Sequence, residues 1–214
     1  MLEIIESLLR IDVLIHQMAS QFGVWLYVIL FLIIFAETGL VVMPFLPGDS
    51  LLFAVGALSA TSEHFQIQIL IPLLICASII GDSVNYFIGQ KYGRKLFETQ
   101  HRFSKIFNQK YLIQTEEFFI RKGAVAVFIS RFLPILRTFA PFVAGLSQMN
   151  YRKFLKYSVS GSFVWVNVFV LAGHFFGRIP FIQKNFTLLV MGIIVFSLAP
   201  MLFGVLRSLI KKRL

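Results

Sequence analysis

The chain has 214 residues, 57% of them hydrophobic and 14% charged, where an ordinary soluble domain is about 45–50% apolar and about 25% charged. With 25 phenylalanines and a net charge of +10, this excludes an ordinary soluble core and argues for one domain whose apolar surface faces lipid. The positive charge does not point to nucleic acid, because tracking phosphates needs a basic stripe in water. Here the basic residues fall between apolar runs, as they do on the cytoplasmic side of a membrane protein.

Residues 1–23 place Glu3, Glu6, Ser7 and Arg10 on one helical face, with Ile4, Ile5, Leu8 and Leu9 elsewhere, which predicts an amphipathic helix at the membrane surface. The same charges interrupt any signal-peptide core. A spanning helix needs about 20 mainly apolar residues. Residues 24–43 qualify, interrupted by Glu37, and residues 67–89 qualify, interrupted by Asp82. The latter span holds Cys76, the only cysteine, which excludes an intrachain disulfide and is read as a small core residue. Residues 157–177 form a third span with His174 near its end, and 186–206 a fourth containing Pro200.

Two apolar stretches are too broken to span. Residues 44–60, PFLPGDSLLFAVGALSA, are short, interrupted by proline and glycine, and contain Asp49. Residues 124–147 hold Arg131, Pro134, Arg137 and Pro141. Such segments are expected as re-entrant hairpins, which persist where protein or a cavity surrounds them. Charge supports that topology. With both hairpins returning to their side of entry and both termini cytoplasmic, the inside holds every lysine and arginine except Arg178 and Lys184 outside and Arg131 and Arg137 in the second hairpin.

A weak internal repeat is present. Gly89, Gly93 and Arg94 recur as Gly173, Gly177 and Arg178, each set following a glycine-started helix (Gly81, Gly161) and a broken segment. GxxxG packs helices closely in any membrane protein. An inverted repeat would in addition place a binding site near the midplane, between the two broken segments.

The intramembrane charges carry the chemistry. A charge at mid-bilayer costs about 2.5–3.5 kcal/mol on insertion scales and pairs or faces a cavity. The acids are Glu37, Asp49 and Asp82 and the bases Arg131 and Arg137. Arginine stays charged, so each needs a carboxylate, carbonyls, water or an anionic ligand. Two structural ion pairs between hairpins are one reading. A polar cavity, with acids from one half and arginines from the other, is the reading preferred here, since packing alone needs no charge. Pro47, Gly48, Pro134 and Pro141 flank these charges and free backbone groups for a ligand. Asp82 ranks below Glu37 and Asp49, because Asn85 or a helix start would satisfy it. Arg131 and Arg137 are six apart, off one helix face, and a bend at Pro134 lets them converge. Converging guanidinium forks suit a phosphate, and in the resting state Glu37 and Asp49 would hold them. No catalytic or metal-ligand motif is present, so neither enzyme activity nor a cofactor is expected.

Three strings, FAETGLVVMPFLPGDSLLFAVGAL (35–58), GDSVNYFIGQKYG (81–93) and SRFLPILRTFAPFVAGLSQMNYRKF (130–154), resemble the DedA family of bacterial inner-membrane proteins, and the likeness extends over about 25–180. The stretch VLIHQMASQFGVWLYVILF also resembles the family's founding member. The family is similar to eukaryotic lipid scramblases that share its domain. The resemblance implies two facing re-entrant hairpins and transport of undecaprenyl phosphate or another phospholipid across the inner membrane. It also implies proton coupling and a role in envelope integrity and division. It carries functional acids onto Glu37 and Asp49 and functional arginines onto Arg131 and Arg137.

The expected protein is thus an all-α integral membrane protein of the bacterial cytoplasmic membrane, a multi-span bundle with two opposed re-entrant hairpins in an inverted repeat. Its parts are an N-terminal amphipathic segment (1–23), a DedA-type membrane domain (24–180) with hairpins near 44–60 and 124–147, and a C-terminal transmembrane helix with a basic tail (181–214). Arg131 and Arg137 are expected to bind an anionic, phosphate-bearing lipid headgroup, with Glu37 and Asp49 as proton sites and Asp82, Pro47, Gly48, Pro134 and Pro141 as secondary candidates. The partners are the membrane, the lipid and protons, not nucleic acid; the sequence leaves the oligomeric state open, a homo-oligomer included. A non-transporting scaffold for envelope or division proteins is the alternative, and an enzyme acting on a lipid phosphate a more distant one. In a Cys76→Ser background, single cysteines at Asn108, Gln148 and Leu214 should resist an impermeant thiol reagent added to intact cells, and one at Gln183 should react. Labelling at Gln148 from outside rules out the second hairpin as drawn.

Overall fold

A computed structural model describes residues 24–40, 48–60, 65–98, 115, 117–119 and 121–179, which form helices joined by turns, with no strand among them. In chain order the helices are α1 (Val24–Gly39), α2 (Gly48–Ser59), α3 (Ile67–Glu98), α4 (Val125–Ser130), α5 (Pro134–Leu146) and α6 (Tyr151–Phe176). The expected amphipathic segment at 1–23, Pro47 and the expected fourth span at 186–206 lie outside the described residues.

Among the described residues, two helices are long and apolar enough to cross a bilayer: Ile67–Gly93, 27 residues with mean hydropathy 2.0, and Tyr151–Phe176, 26 residues with mean hydropathy 1.5. Both extend beyond the apolar runs in the sequence, because polar residues propagate a helix as well as apolar ones. α6 begins at Tyr151 because Asn150 caps it: its Oδ1 accepts from the backbone N–H of Arg152 at 3.0 Å and of Lys153 at 3.4 Å. α1 is described for 16 residues. Trp25, Leu32, Phe163 and Phe175 stay more than half exposed, a surface suited to lipid tails. Cys76, expected in the core, is exposed on α3.

The second broken segment is broken where the sequence says. α4 stops at Ser130, and Leu133 is extended (φ −113°, ψ 105°) because it precedes Pro134, which starts α5. α4 and α5 then pack on each other. Of the first broken segment, residues 48–60 are described, and they are helical from Gly48 to Ser59.

The chain divides into two compact units. One is built from 1–26, 47–67 and 169–214, and its described part is α2 with the end of α6. The other holds 27–46 and 68–168, and so most of α1, nearly all of α3, α4, α5 and the first two-thirds of α6. Each unit contains the same helix-on-helix contact. In the larger, a Cβ on Gly89 would overlap the Phe142 carbonyl, one on Gly145 the Tyr86 carbonyl and one on Gly93 the Leu146 side chain. In the smaller, Gly173 meets the Phe53 carbonyl, Gly56 the Val170 carbonyl and Gly177 the Ala57 backbone. Every long-helix position maps onto its counterpart by the shift from Gly89 to Gly173, and every short-helix position by the shift from Gly145 to Gly56. The glycines therefore do pack helices, and they do so twice in one pattern, with each short helix lying on the long helix of the other half of the sequence.

This geometry gives a stability test. Gly145→Ala should lower detergent-solubilised thermal stability by about 1–3 kcal/mol, the usual cost of overpacking. Gly161→Ala should be tolerated, because its Cβ would meet Phe128 at 3.6 Å, an ordinary contact. Equal thermal shifts in the two variants would show that backbone proximity at Gly145 does not limit stability.

Candidate functional site

Glu37 lies two residues before the end of α1 and is 1% exposed. Its neighbour Thr38 returns its hydroxyl to the Ile34 carbonyl at 2.9 Å, which satisfies a hydroxyl that lipid cannot. α3 approaches here through Gly81, where a Cβ would collide with Thr38. One turn on, Asn85 donates to the carbonyl of Thr38 at 3.1 Å and to that of Thr138 at 2.8 Å. The Thr38 carbonyl is one of the last four of α1, which lack partners within the helix. Asn85 therefore caps α1 and ties it to α5.

Two ion pairs fill the space so enclosed. Arg137, on the first turn of α5, binds Glu37. Arg131, at the C-terminal cap of α4, binds Asp82 of α3. All four side chains are at most 7% exposed. Asp82 also accepts from Ser158 at 2.6 Å, and Arg131 donates to Ser162 at 2.6 Å, whose hydroxyl lies 3.2 Å from that of Ser78. Trp165 of α6, fully buried, sits between the pairs: the Arg131 Cζ is 5.5 Å and the Arg137 Cζ 5.0 Å from its ring centroid. The break at Pro134 thus brings two arginines six residues apart against one ring.

The sequence-based expectations are partly redrawn. Glu37, Arg131 and Arg137 do meet. The acid against Arg131 is Asp82, expected only as a secondary candidate; Asn85 is spent on two carbonyls, and Asp82 takes Arg131 and Ser158. Asp49 lies in the first turn of α2, half-buried, and belongs to the smaller unit, with Gly48 beside it. Pro141 sits inside α5. The reading missed Ser158, Ser162 and Trp165. A signal existed: Ser78, Asp82 and Asn85 on α3, and Ser158, Ser162 and Trp165 on α6, each follow the i, i+4, i+7 spacing of one helix face. Tryptophan on such a face reads as apolar, which hid its part in the polar cluster.

The smaller unit has its own polar chain. Arg178 donates to Nε2 of His174 at 2.8 Å, His174 Nδ1 lies 2.8 Å from the Ser59 hydroxyl, and Ser59 donates to the Gly56 carbonyl at 2.6 Å. Arginine has only donors, so Nε2 is the acceptor and Nδ1 carries the proton.

Helices long enough to span, apolar surfaces suited to lipid and buried, paired charges at a broken helix define a polytopic membrane protein with a polar interior site. Comparison with known proteins places it further. The VTT domain matches residues 46–175. The chain is 48% identical over 205 residues to Protein DedA of Escherichia coli K12, covering 95% of this chain and 93% of that one. It is 39% identical over 172 residues to a membrane protein of Mycobacterium leprae (80% and 76% covered) and 31% identical over 185 residues to the inner membrane protein YqjA of Escherichia coli K12 (86% and 83%). No solved structure matches. The chain belongs to the DedA family of VTT-domain membrane proteins.

Removing one partner of a buried pair strands a charge and costs about 3–5 kcal/mol. Asp82→Ala and Arg131→Ala should each destabilise the detergent-solubilised protein on that scale, and the double variant by clearly less than their sum. Additive losses would show that the two side chains act independently.

Proposed function

We propose that the protein moves an anionic, phosphate-bearing lipid headgroup between the leaflets of the cytoplasmic membrane, coupled to protons, in support of envelope integrity and cell division. It is a transport protein and not an enzyme on this reading. Undecaprenyl phosphate and phospholipids are the candidate substrates. The observation that carries the proposal is the convergence of Arg131 and Arg137, each with its own acid, on Trp165 at the break between α4 and α5.

Two permanent cations in lipid need anions. The resting protein supplies Glu37 and Asp82. A lipid phosphate offers several oxygens to the same forks and can displace a carboxylate from one of them. A displaced carboxylate inside a membrane is costly as an anion, so it gains affinity for a proton in that state. Proton uptake then accompanies the loaded conformation, and release accompanies its return. Glu37 is suited to this exchange, and the family pattern adds Asp49. The repeated glycine contact in the two units supports reading the fold as two opposed re-entrant hairpins in an inverted repeat, which would alternate access about a midplane site. YqjA is named as an inner membrane protein, which supports the same membrane here, with both termini cytoplasmic by the charge pattern.

A non-transporting scaffold would use the same ion pairs to hold its helices together, and their closure in this structure is the observation that favours that alternative. Leaflet-resolved lipid movement in proteoliposomes decides, with candidate lipids tested one at a time. Arg131→Lys and Arg137→Lys should each slow movement while inserting normally, since lysine keeps the charge and loses the fork, and alanine should be slower still. Glu37→Gln and Asp49→Asn should move lipid without the wild-type pH dependence. Wild-type rates with lysine at both positions would reduce the arginines to plain positive charge, and no movement of any phosphate lipid by the wild type would leave the scaffold.

A further inference from the structure

Trp165 is the largest fully buried side chain of the described residues, and it stands where packing alone would ask for no particular chemistry. Energetically significant cation–π contacts occur about once per 70–80 residues. Here two fall on one ring, and both partners are the arginines of the proposed site. We infer that Trp165 is the positioning residue of the phosphate site: its indole holds the guanidiniums of Arg131 and Arg137 in convergence while their carboxylates exchange with a phosphate. This rests on the reading of the arginines as a phosphate site.

The physical case is one of competition. Arg131 is held from two sides besides the ring, by Asp82 of α3 and Ser162 of α6. Arg137 has Glu37 as its carboxylate partner. When a phosphate takes the place of that carboxylate, two like charges stand close together, and the ring against both guanidiniums offsets part of their repulsion. A third carboxylate would do so only by neutralising the charge the phosphate needs. An aromatic face attracts a cation through its quadrupole and brings neither a formal charge nor an oxygen that competes for the fork. The attraction is also strongest where water is excluded, as it is around a fully buried ring. α6 fixes the ring rigidly, since Trp165 shares a helix face with Ser162 and Ser158, which bind Arg131 and Asp82.

Among the described residues of this unit, Lys91 also lies over an aromatic ring, that of Tyr92 at 5.4 Å, but it does so as a single cation on an exposed ring. Tyr86 stacks on Phe154 with centroids 4.6 Å apart, Tyr151 packs on both at a tilt, and Tyr86 donates its hydroxyl to the Met149 carbonyl, which fixes the turn into α6.

The experiment measures initial lipid movement in proteoliposomes against the mole fraction of phosphatidate. Trp165→Leu should raise the half-saturating fraction by about tenfold and retain much of the saturating rate, and Trp165→Phe should recover most of the affinity. A residue that only packs would lower the saturating rate, by losing folded protein, and leave half-saturation unchanged; that result, or wild-type behaviour of Trp165→Leu, overturns the inference. Where Trp165→Leu does not fold, the native ring reports. The chain has two tryptophans, so in a Trp25→Phe protein the emission is that of Trp165 alone. Phosphatidate should change that emission and diacylglycerol of the same chains should not; the same change with both lipids, or no change with phosphatidate and none with inorganic phosphate, overturns the inference. A response to inorganic phosphate without one to phosphatidate supports the ring as holder of a phosphate site and counts against a lipid substrate. Absence of lipid movement by the wild-type protein strikes the transport reading and leaves the emission test to judge Trp165.

Discussion

Four formal charges stand inside a helical unit whose outer surface is suited to lipid, and their mutual neutralisation is what the surrounding architecture serves. Glu37 comes from α1, Asp82 from α3, Arg131 from the cap of α4 and Arg137 from α5, so the pairs join four helices. Each pair depends on a local irregularity. The α1–α3 approach needs Gly81 because any side chain there would strike Thr38. The arginines converge because Pro134 holds Leu133 extended and turns the chain between them. A continuous helix through 125–146 would direct the two arginines to different faces.

The hydroxyls and amides around the pairs follow from the same constraint. In a medium without water, a buried polar atom without a partner is expensive. Ser158 and Ser162 complete the Asp82–Arg131 pair, and Asn85 supplies donors to two helix carbonyls. Trp165 differs from all of these in attracting cations without neutralising them.

The paired glycine contacts show how the helices of each unit are held together. Gly89 and Gly145 in one unit, and Gly173, Gly177 and Gly56 in the other, bring helix backbones into direct contact, and Gly93 makes room for the Leu146 side chain. Close packing of this kind is one of the forces that associate helices in lipid, where no hydrophobic effect drives them together. Each short helix is thereby clasped to a long helix from the other half of the sequence.

The sequence by itself determined that the chain is a helical membrane protein and that its second broken segment breaks at Pro134, and it marked Glu37, Arg131 and Arg137 as charges that need partners away from water. Those properties are local: apolar run length, a proline beside an arginine, and the cost of a charge in lipid all read directly from neighbouring residues. Only the tertiary structure decided which acid faces which arginine. Asp82 and Arg131 are 49 residues apart and Glu37 and Arg137 are 100 apart, and pairing over such separations depends on helix rotation and approach. Those are set in turn by Gly81 and the glycine contacts, whose partners no periodicity reveals. Trp165 was illegible for a related reason: an indole in an apolar helix looks the same whether it packs against leucine or carries two cations, and only the arginines brought to it by other helices distinguish the two.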